Sequence, residues 1–215
     1  MLERCSDGVY RSSLLDAQPW LDHGFASRQA GEWPGDYVRV RQIHSAVILI
    51  ADPEADPQEG DALVTDRKGT WIGIRTADCV PLLLADPERH CVAALHAGWR
   101  GTSADIAGLA VKRLQQEFGS NPEDLLAAVG PCIGRCCFEV GAEVTEKFSP
   151  LFPEKIDSSH VDLAEANRRQ LSMAGVLVRN IDSSGLCTVC DPVNFHSWRR
   201  DQEQSGRMAA AIRIR

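Results

Sequence analysis

Cys79 and His96 carry the strongest chemical signal in the sequence. Cys79 opens the run Cys79-Val80-Pro81-Leu82-Leu83-Leu84-Ala85, and His96 closes Cys91-Val92-Ala93-Ala94-Leu95-His96. Between the two runs lies Asp86-Pro87-Glu88-Arg89, so the segment reads as a β-hairpin about a Pro-containing turn. A turn centred on Pro87 and Glu88 sets Cys79 directly opposite His96. Opposed residues share a face, with Cβ atoms roughly 4.5–5.5 Å apart. That is close enough to share a metal ion or a proton. A slip of one residue would put the two on opposite faces.

A catalytic metal needs a third ligand, and His44 offers one at the end of Tyr37–His44. Two imidazoles and a thiolate with one open position make a catalytic zinc set, and such an ion supplies hydroxide near neutral pH. Asp78, beside the thiolate, is the expected water-orienting group or proton acceptor. The same residues also fit a Cys79 that merely starts a core strand and a His96 hydrogen-bonded at a strand end. Gly98-Trp99-Arg100-Gly101-Thr102 then leads into a helix N-terminus, where N–H groups favour an anion. Arg100 adds a bidentate cation, although an ordinary tight turn with a surface arginine has the same sequence.

The remaining cysteines cluster at Cys132, Cys136 and Cys137 and at Cys187 and Cys190. Only Cys187-x-x-Cys190 has zinc-ribbon spacing and no second such pair matches it, so reactive or packed free thiols are expected rather than a second zinc. His196 falls in an aromatic-rich packing segment. His23, His90 and His160 lack supporting neighbours and are expected at the surface.

Elements that could position these groups follow from periodicity. Tyr37–His44 alternates as a half-buried strand does, and Val47–Ile50, Ala62–Thr65 and Trp71–Ile74 read as further strands. A helix is expected from Thr102-Ser103-Ala104-Asp105 through Phe118, stopped by Gly119. A second is expected over Phe138–Phe148 and a third from Asp162. Leu125–Val129, Val176–Ile181 and Met208–Ile214 complete the strands. The mixture indicates an α+β fold with helices covering mixed or antiparallel sheets.

Composition narrows the class. The chain has 215 residues and is 44% hydrophobic and 25% charged, as a soluble globular domain is. A net charge of −7 without a basic cluster argues against nucleic acid as partner. No run has the length to span a bilayer and no signal-peptide core opens the chain. A cytoplasmic location is expected, with the eight cysteines reduced.

Several motifs in order resemble a known family. They are His23-Gly24-Phe25-Ala26-Ser27-Arg28, Arg41-Gln42-Ile43-His44, Gly60-Asp61-Ala62-Leu63-Val64-Thr65 and Thr76-Ala77-Asp78-Cys79. His96-Ala97-Gly98-Trp99-Arg100-Gly101, Gly130-Pro131-Cys132-Ile133-Gly134, Phe138-Glu139-Val140-Gly141, Arg199-Arg200-Asp201 and Gly206-Arg207 follow. Together they resemble the laccase-domain, or polyphenol-oxidase-type, family of purine nucleoside phosphorylases. The resemblance implies one αββα-type domain over residues 1–215 and Zn2+ held by His44, Cys79 and His96. It implies phosphorolysis of adenosine, inosine, guanosine and methylthioadenosine, and deamination of adenosine. The matched motifs give the metal ligands; beside them Asp78, Cys79 and His96 are read as catalytic, and Arg28, Gln42, Arg100 and Gly101 as binding substrate or phosphate. A monomer or weak homodimer is expected. Family members usually carry a longer segment after the His-Gly-Phe motif, whereas here only Gln29–Asp36 follows Arg28.

Two other chemistries remain open. Copper chemistry of the true laccase type needs more histidines than the six here, with an axial-ligand context that none of the methionines offers. A Cys79–His96 dyad acting without metal as an amidase on cell-wall precursors is the main alternative.

Overall fold

A computed structural model describes residues 1–152 and 159–215. In chain order its strands are β1 (Leu2–Arg4), β2 (Val9–Ser12), β3 (Leu21–Ala26), β4 (Ile48–Ile50), β5 (Ala62–Thr65) and β6 (Ile72–Thr76). They continue with β7 (Val80–Asp86), β8 (Cys91–Ala97), β9 (Leu126–Val129), β10 (Ile181–Ser183) and β11 (Met208–Ile214). The helices are α1 (Ser13–Asp16), α2 (Trp99–Ser103), α3 (Ile106–Phe118), α4 (Ala142–Phe148), α5 (Leu163–Met173) and α6 (Trp198–Asp201).

The strands form two sheets. One is antiparallel throughout, in the order β1-β2-β3-β11-β6. The other, β10-β9-β7-β8-β5-β4, is antiparallel at its centre, while its two three-residue edge strands pair parallel. This is the α+β arrangement with mixed sheets and covering helices that the sequence indicates.

The central hairpin explains the layering. Every residue of β7 and β8 is buried, so both faces of the hairpin must be covered. Leu82, Leu84 and Leu95 join a core shared with α3 and α5. Leu83, Ala85 and Ala94 instead join a core shared with Phe25, Ile72, Ile74 and Ile212 of the other sheet. Each fully buried leucine is worth roughly 1.5–3 kcal/mol relative to exposure. The apolar run therefore becomes the middle layer of the molecule, and residues at its end are held between packed surfaces.

The hairpin register differs from expectation by two residues. The loop spans Pro87–His90, with Asp86 Oδ1 accepting from the N–H groups of Glu88 (2.8 Å) and Arg89 (3.0 Å). Its centre therefore falls after Glu88, and His96 pairs with Pro81 rather than Cys79. An even shift keeps Cys79 and His96 on the same face. Their proximity survives as a diagonal neighbourhood.

Other boundaries moved for identifiable reasons. Tyr37–His44 is no strand and makes only bridges from Val38 to Ile72 and from Arg41 to Glu59. The segment instead runs along the edge of β6, where the Val38 N–H donates to the Trp71 carbonyl (2.8 Å) and the Gly73 N–H to the Val38 carbonyl (3.0 Å). Trp33 and Tyr37 lie against Gly24 and Gly73, which flank Ala211 across three strands. A Cβ on Gly24 would come within 3.0 Å of the Trp33 ring, and one on Gly73 within 2.9 Å of Tyr37. The helix expected from Thr102 is two pieces, because Asp105 takes a left-handed φ of 61°. It caps α3 by accepting from the Gly108 N–H. Asp162 caps α5 as expected, accepting from Glu165 at 2.9 Å. Phe138 and Val140 precede α4 instead of lying in it, and a 3-10 turn at Val178–Asn180 replaces most of the strand expected at 176–181. His23 is buried and not at the surface, and its Nε2 accepts from the Ser12 N–H at 2.9 Å.

Candidate metal centre and its cavity

His44, Cys79 and His96 converge, with their nearest ligand atoms all within 4.8 Å of one another. The two imidazoles stand edge to face, their centroids 4.9 Å apart. His96 comes from the end of β8, Cys79 from the turn before β7, and His44 from a loop where it takes a left-handed φ of 59°. Asp78, just before Cys79, is left-handed as well, with φ 86°. Such backbone is uncommon for non-glycine residues and is kept only where surroundings impose it.

Asp61 imposes it at His44. Fully buried ahead of β5, its carboxylate accepts from the N–H groups of Ile43 (3.3 Å), His44 (3.0 Å) and Ser45 (2.5 Å) and from the Ser45 hydroxyl. It also meets His96 Nδ1 at 2.8 Å. Burial works against the carboxylate, but bonds from His96 and Ser45 outweigh it and hold its pKa down at about 2. An ionised acceptor fixes the proton on Nδ1 and leaves Nε2 as the other ring donor atom, the orienting arrangement common around ligating histidines.

The thiol and imidazole polarise each other. Burial opposes ionisation of Cys79, yet hydrogen bonds from His44 and His96 and their charges prevail and lower its pKa. Burial likewise opposes charge on His96, while Asp61 and Cys79 raise its pKa. Thiolate is the ligating form of cysteine, so one sulfur and two nitrogens here fit a borderline-soft divalent ion. Gly98 allows the close packing: a Cβ there would lie 3.1 Å from Cys79 Sγ and 3.2 Å from His44 Cδ2.

A cavity of about 560 Å3 opens from these donors, a size suited to a small molecule. Ile133, Phe138 and Trp198 line its apolar side, while Arg75, Arg199 and Arg207 supply positive charge. The Arg199 guanidinium donates to the carbonyls of Cys137 and Glu139 (both 3.1 Å), and Arg207 lies over the Trp198 ring. Among the described residues the Arg75 guanidinium has no hydrogen bond or ion pair.

The residues singled out from sequence divide into two groups. Gln42, His44, Asp78, Cys79 and His96 all line the cavity. Gln42 exchanges two 2.8 Å bonds with the backbone of Arg75. Asp78 Oδ1 accepts from Thr188 Oγ1 (2.6 Å), and Oδ2 from Ser197 Oγ (3.1 Å) and the Arg199 N–H (2.6 Å). Arg28, Arg100 and Gly101 are not among the cavity-lining residues. Arg28 donates to the Pro192 carbonyl, and Arg100 stacks on Trp99 at 4.4 Å. Gly101 packs where a Cβ would meet the Ser45 carbonyl at 2.8 Å.

Sequence reasoning assigned no role to Asp61 or Arg75. A signal for Asp61 existed: a lone carboxylate abutting the apolar run Ala62-Leu63-Val64 has to be buried, and a buried charge needs partners. Arg75 had none, since an exposed arginine on a strand is unremarkable. His196 packs as expected, its Nδ1 accepting from the Gly206 N–H at 3.2 Å.

Known proteins resemble this chain over most of its length. Adenosine deaminase RL5, from an unknown prokaryotic organism, is 39% identical over 218 residues, covering 93% of this chain and 81% of that protein. A purine nucleoside phosphorylase of Deinococcus radiodurans is 41% identical over 182 residues, covering 82% and 70%. The crystal structure of YlmD from Geobacillus stearothermophilus superposes with a TM-score of 0.88 at 29% identity, covering 100% of this chain and 98% of that one. The family model described as multi-copper polyphenol oxidoreductase laccase matches residues 25–215, and the chain belongs to that family.

Proposed function

We propose that this chain is a zinc-dependent purine nucleoside phosphorylase that also deaminates adenosine, working in the cavity at His44, Cys79 and His96. Inosine, guanosine and methylthioadenosine are further substrates on this reading. The observation that carries it is the convergence of one thiol and two imidazoles, braced by a buried carboxylate, at the end of a cavity with both aromatic and cationic walls. The names of the relatives support the same reactions. Six histidines are too few for a laccase-type copper set, and of these only His44 and His96 stand in the cluster. We place the protein in the cytoplasm as a monomer or weak homodimer.

Zinc, when bound, supplies a Lewis acid and an activated water. The chain's own residues do the rest. Phe138 and Trp198 offer faces against which a purine packs. Arg75, joined by Arg199 and Arg207, holds the phosphate whose oxygen bonds to the anomeric carbon as the bond to the purine breaks. Asp78 is a positioning residue, because both of its oxygens already hold Thr188, Ser197 and Arg199. Gln42 fixes the strand end that carries Arg75.

The decisive experiment incubates adenosine with pure protein, with and without phosphate. Adenine and ribose 1-phosphate form only with phosphate, and inosine forms in either case. Cys79→Ala loses both reactions together with the zinc of this site; full activity in a folded, zinc-free Cys79→Ala protein overturns the proposal. Arg75→Ala weakens phosphate use by about 1.5–3 kcal/mol, the worth of a hydrogen bond to a charged group, and leaves phosphate-independent deamination near its original rate.

A second reading rests on the chain Asp61–His96–Cys79, which has the order of acid, base and nucleophile in a thiol hydrolase. An amidase acting on cell-wall precursors would use it. Stoichiometric zinc, with activity lost to a chelator and restored by zinc alone, decides against this reading.

A further inference from the structure

The turn at Arg135–Cys137 and the turn at Cys187–Cys190 come together. Four thiols, Cys136, Cys137, Cys187 and Cys190, have all their sulfurs within 4.8 Å of one another. Three of these separations are 3.6 Å (Cys136–Cys137), 3.6 Å (Cys136–Cys190) and 3.4 Å (Cys137–Cys190). A tetrahedral ion with zinc–sulfur bonds of about 2.3 Å has sulfur–sulfur edges of roughly 3.8 Å. The group is already near that size. Cys136, Cys137 and Cys190 are almost equidistant, so no single pair is set apart as a disulfide would set it.

The surrounding backbone is built for the same purpose. The Gly134 N–H donates to Cys187 Sγ at 3.2 Å, the kind of bond that orients a metal-bound thiolate. The Cys137 N–H closes one turn onto the Gly134 carbonyl, and the Asp191 N–H closes the other onto the Cys187 carbonyl. A Cβ on Gly134 would lie 3.1 Å from the Cys187 Cβ and 3.3 Å from Cys136 Sγ. Glycine therefore permits the approach of the two turns. Arg199 and Arg200 bring positive charge by donating to the carbonyls of Cys137 and Val189.

We propose that Cys136, Cys137, Cys187 and Cys190 form a second, structural metal site that takes one thiophilic divalent cation, zinc, and clamps the two turns together. Four protein sulfurs fill the coordination sphere, so this centre is closed and holds no substrate. A tetrahedron of this size holds one ion, whereas an iron–sulfur cluster requires its cysteines farther apart. The clamp has an evident use. Phe138 of the cavity wall follows Cys137, and Thr188, which holds Asp78, follows Cys187.

Metal counting tests the site separately from the activity proposed above. Protein purified under reductant without chelator carries two zinc equivalents per chain. The Cys136→Ser/Cys190→Ser variant loses one and Cys79→Ala loses the other. Metal-free wild type and metal-free Cys79→Ala titrated with Co2+ both develop tetrathiolate visible bands, so the test stands even if the serine variant does not fold. Zinc removal also lowers amide hydrogen-exchange protection at Cys137, Phe138 and Asp191. The proposal is overturned by a single zinc equivalent in wild type, by unchanged zinc in the folded serine variant, or by Co2+ spectra without tetrathiolate bands. A single equivalent counts against this site only when Cys79→Ala removes it; one that Cys136→Ser/Cys190→Ser removes counts against the cavity zinc instead. The proposal is likewise overturned by a disulfide among the four cysteines after in-cell alkylation, or by iron with acid-labile sulfide.

Discussion

The two groups of metal donors in this molecule are built in opposite ways. His44, Cys79 and His96 are drawn from the ends of buried strands and a loop, and the carboxylate of Asp61 braces both imidazole-bearing segments. Cys136, Cys137, Cys187 and Cys190 sit on two surface turns, and among the described residues no carboxylate joins their group. The first set mixes sulfur and nitrogen and faces a cavity. The second is all sulfur and complete in itself. A mixed, incomplete set held by rigid scaffolding suits chemistry, and a full set of one ligand type suits fastening.

Asp61→Ala would break the comparison most severely. It strips a buried carboxylate from His96 and from the N–H groups around His44, at a cost of roughly 3–5 kcal/mol, as for breaking a buried ion pair. Denaturant unfolding checks the loss, and metal analysis of the folded fraction should show the cavity zinc gone and the thiolate-bound zinc kept. Loss of both ions together would mean that metal binding at one centre requires the other to be filled.

His23 lies in the antiparallel sheet and provides a control that touches neither centre. Burial lowers its pKa to about 4; Asp16, Asp22 and Asp182 pull the other way and Arg11 adds to the lowering. The folded protein therefore keeps His23 neutral while the unfolded chain takes up a proton. Stability from this residue is intact above the unfolded value near 6.5 and falls as pH drops toward 4, by about 3 kcal/mol in all. His23→Gln should flatten that part of the stability profile and leave the zinc content unchanged.

Gly98→Ala is the mildest change and sharpens the contrast. The backbone there (φ −70°, ψ 171°) accepts alanine, and the entropic gain of about 0.4–1 kcal/mol offsets much of the crowding. Unfolding stability should shift by less than about 1 kcal/mol. The added methyl presses on Cys79 and His44, so zinc affinity falls at the cavity centre alone, as competition with a chromophoric chelator would show.

The legibility of the two centres in the sequence differs for a physical reason. Cys79 and His96 were readable because strand alternation constrains which residues share a face, and that parity survived a register shifted by two. His44 came from the family resemblance and from its place before a change of chain direction. The four-cysteine group was missed because its halves lie some 50 residues apart and do not repeat one another's spacing. Packing of one turn on the other, through Gly134 and the backbone β-bridge between residues Cys132 and Cys187, brings them together. Tyr37–His44 misled for the converse reason. Its alternation is genuine, but it pairs with the edge of β6 only through the single bridge at Val38, while Tyr37 lies against Gly73.

Arg199 takes part in both regions at once. Its main-chain nitrogen holds Asp78, whose neighbour is Cys79, and its guanidinium holds the carbonyl of Cys137. The two centres, unlike in chemistry, are thus coupled mechanically in series through one side chain. Slack introduced at the surface turns reaches the reactive thiol across the length of a single arginine.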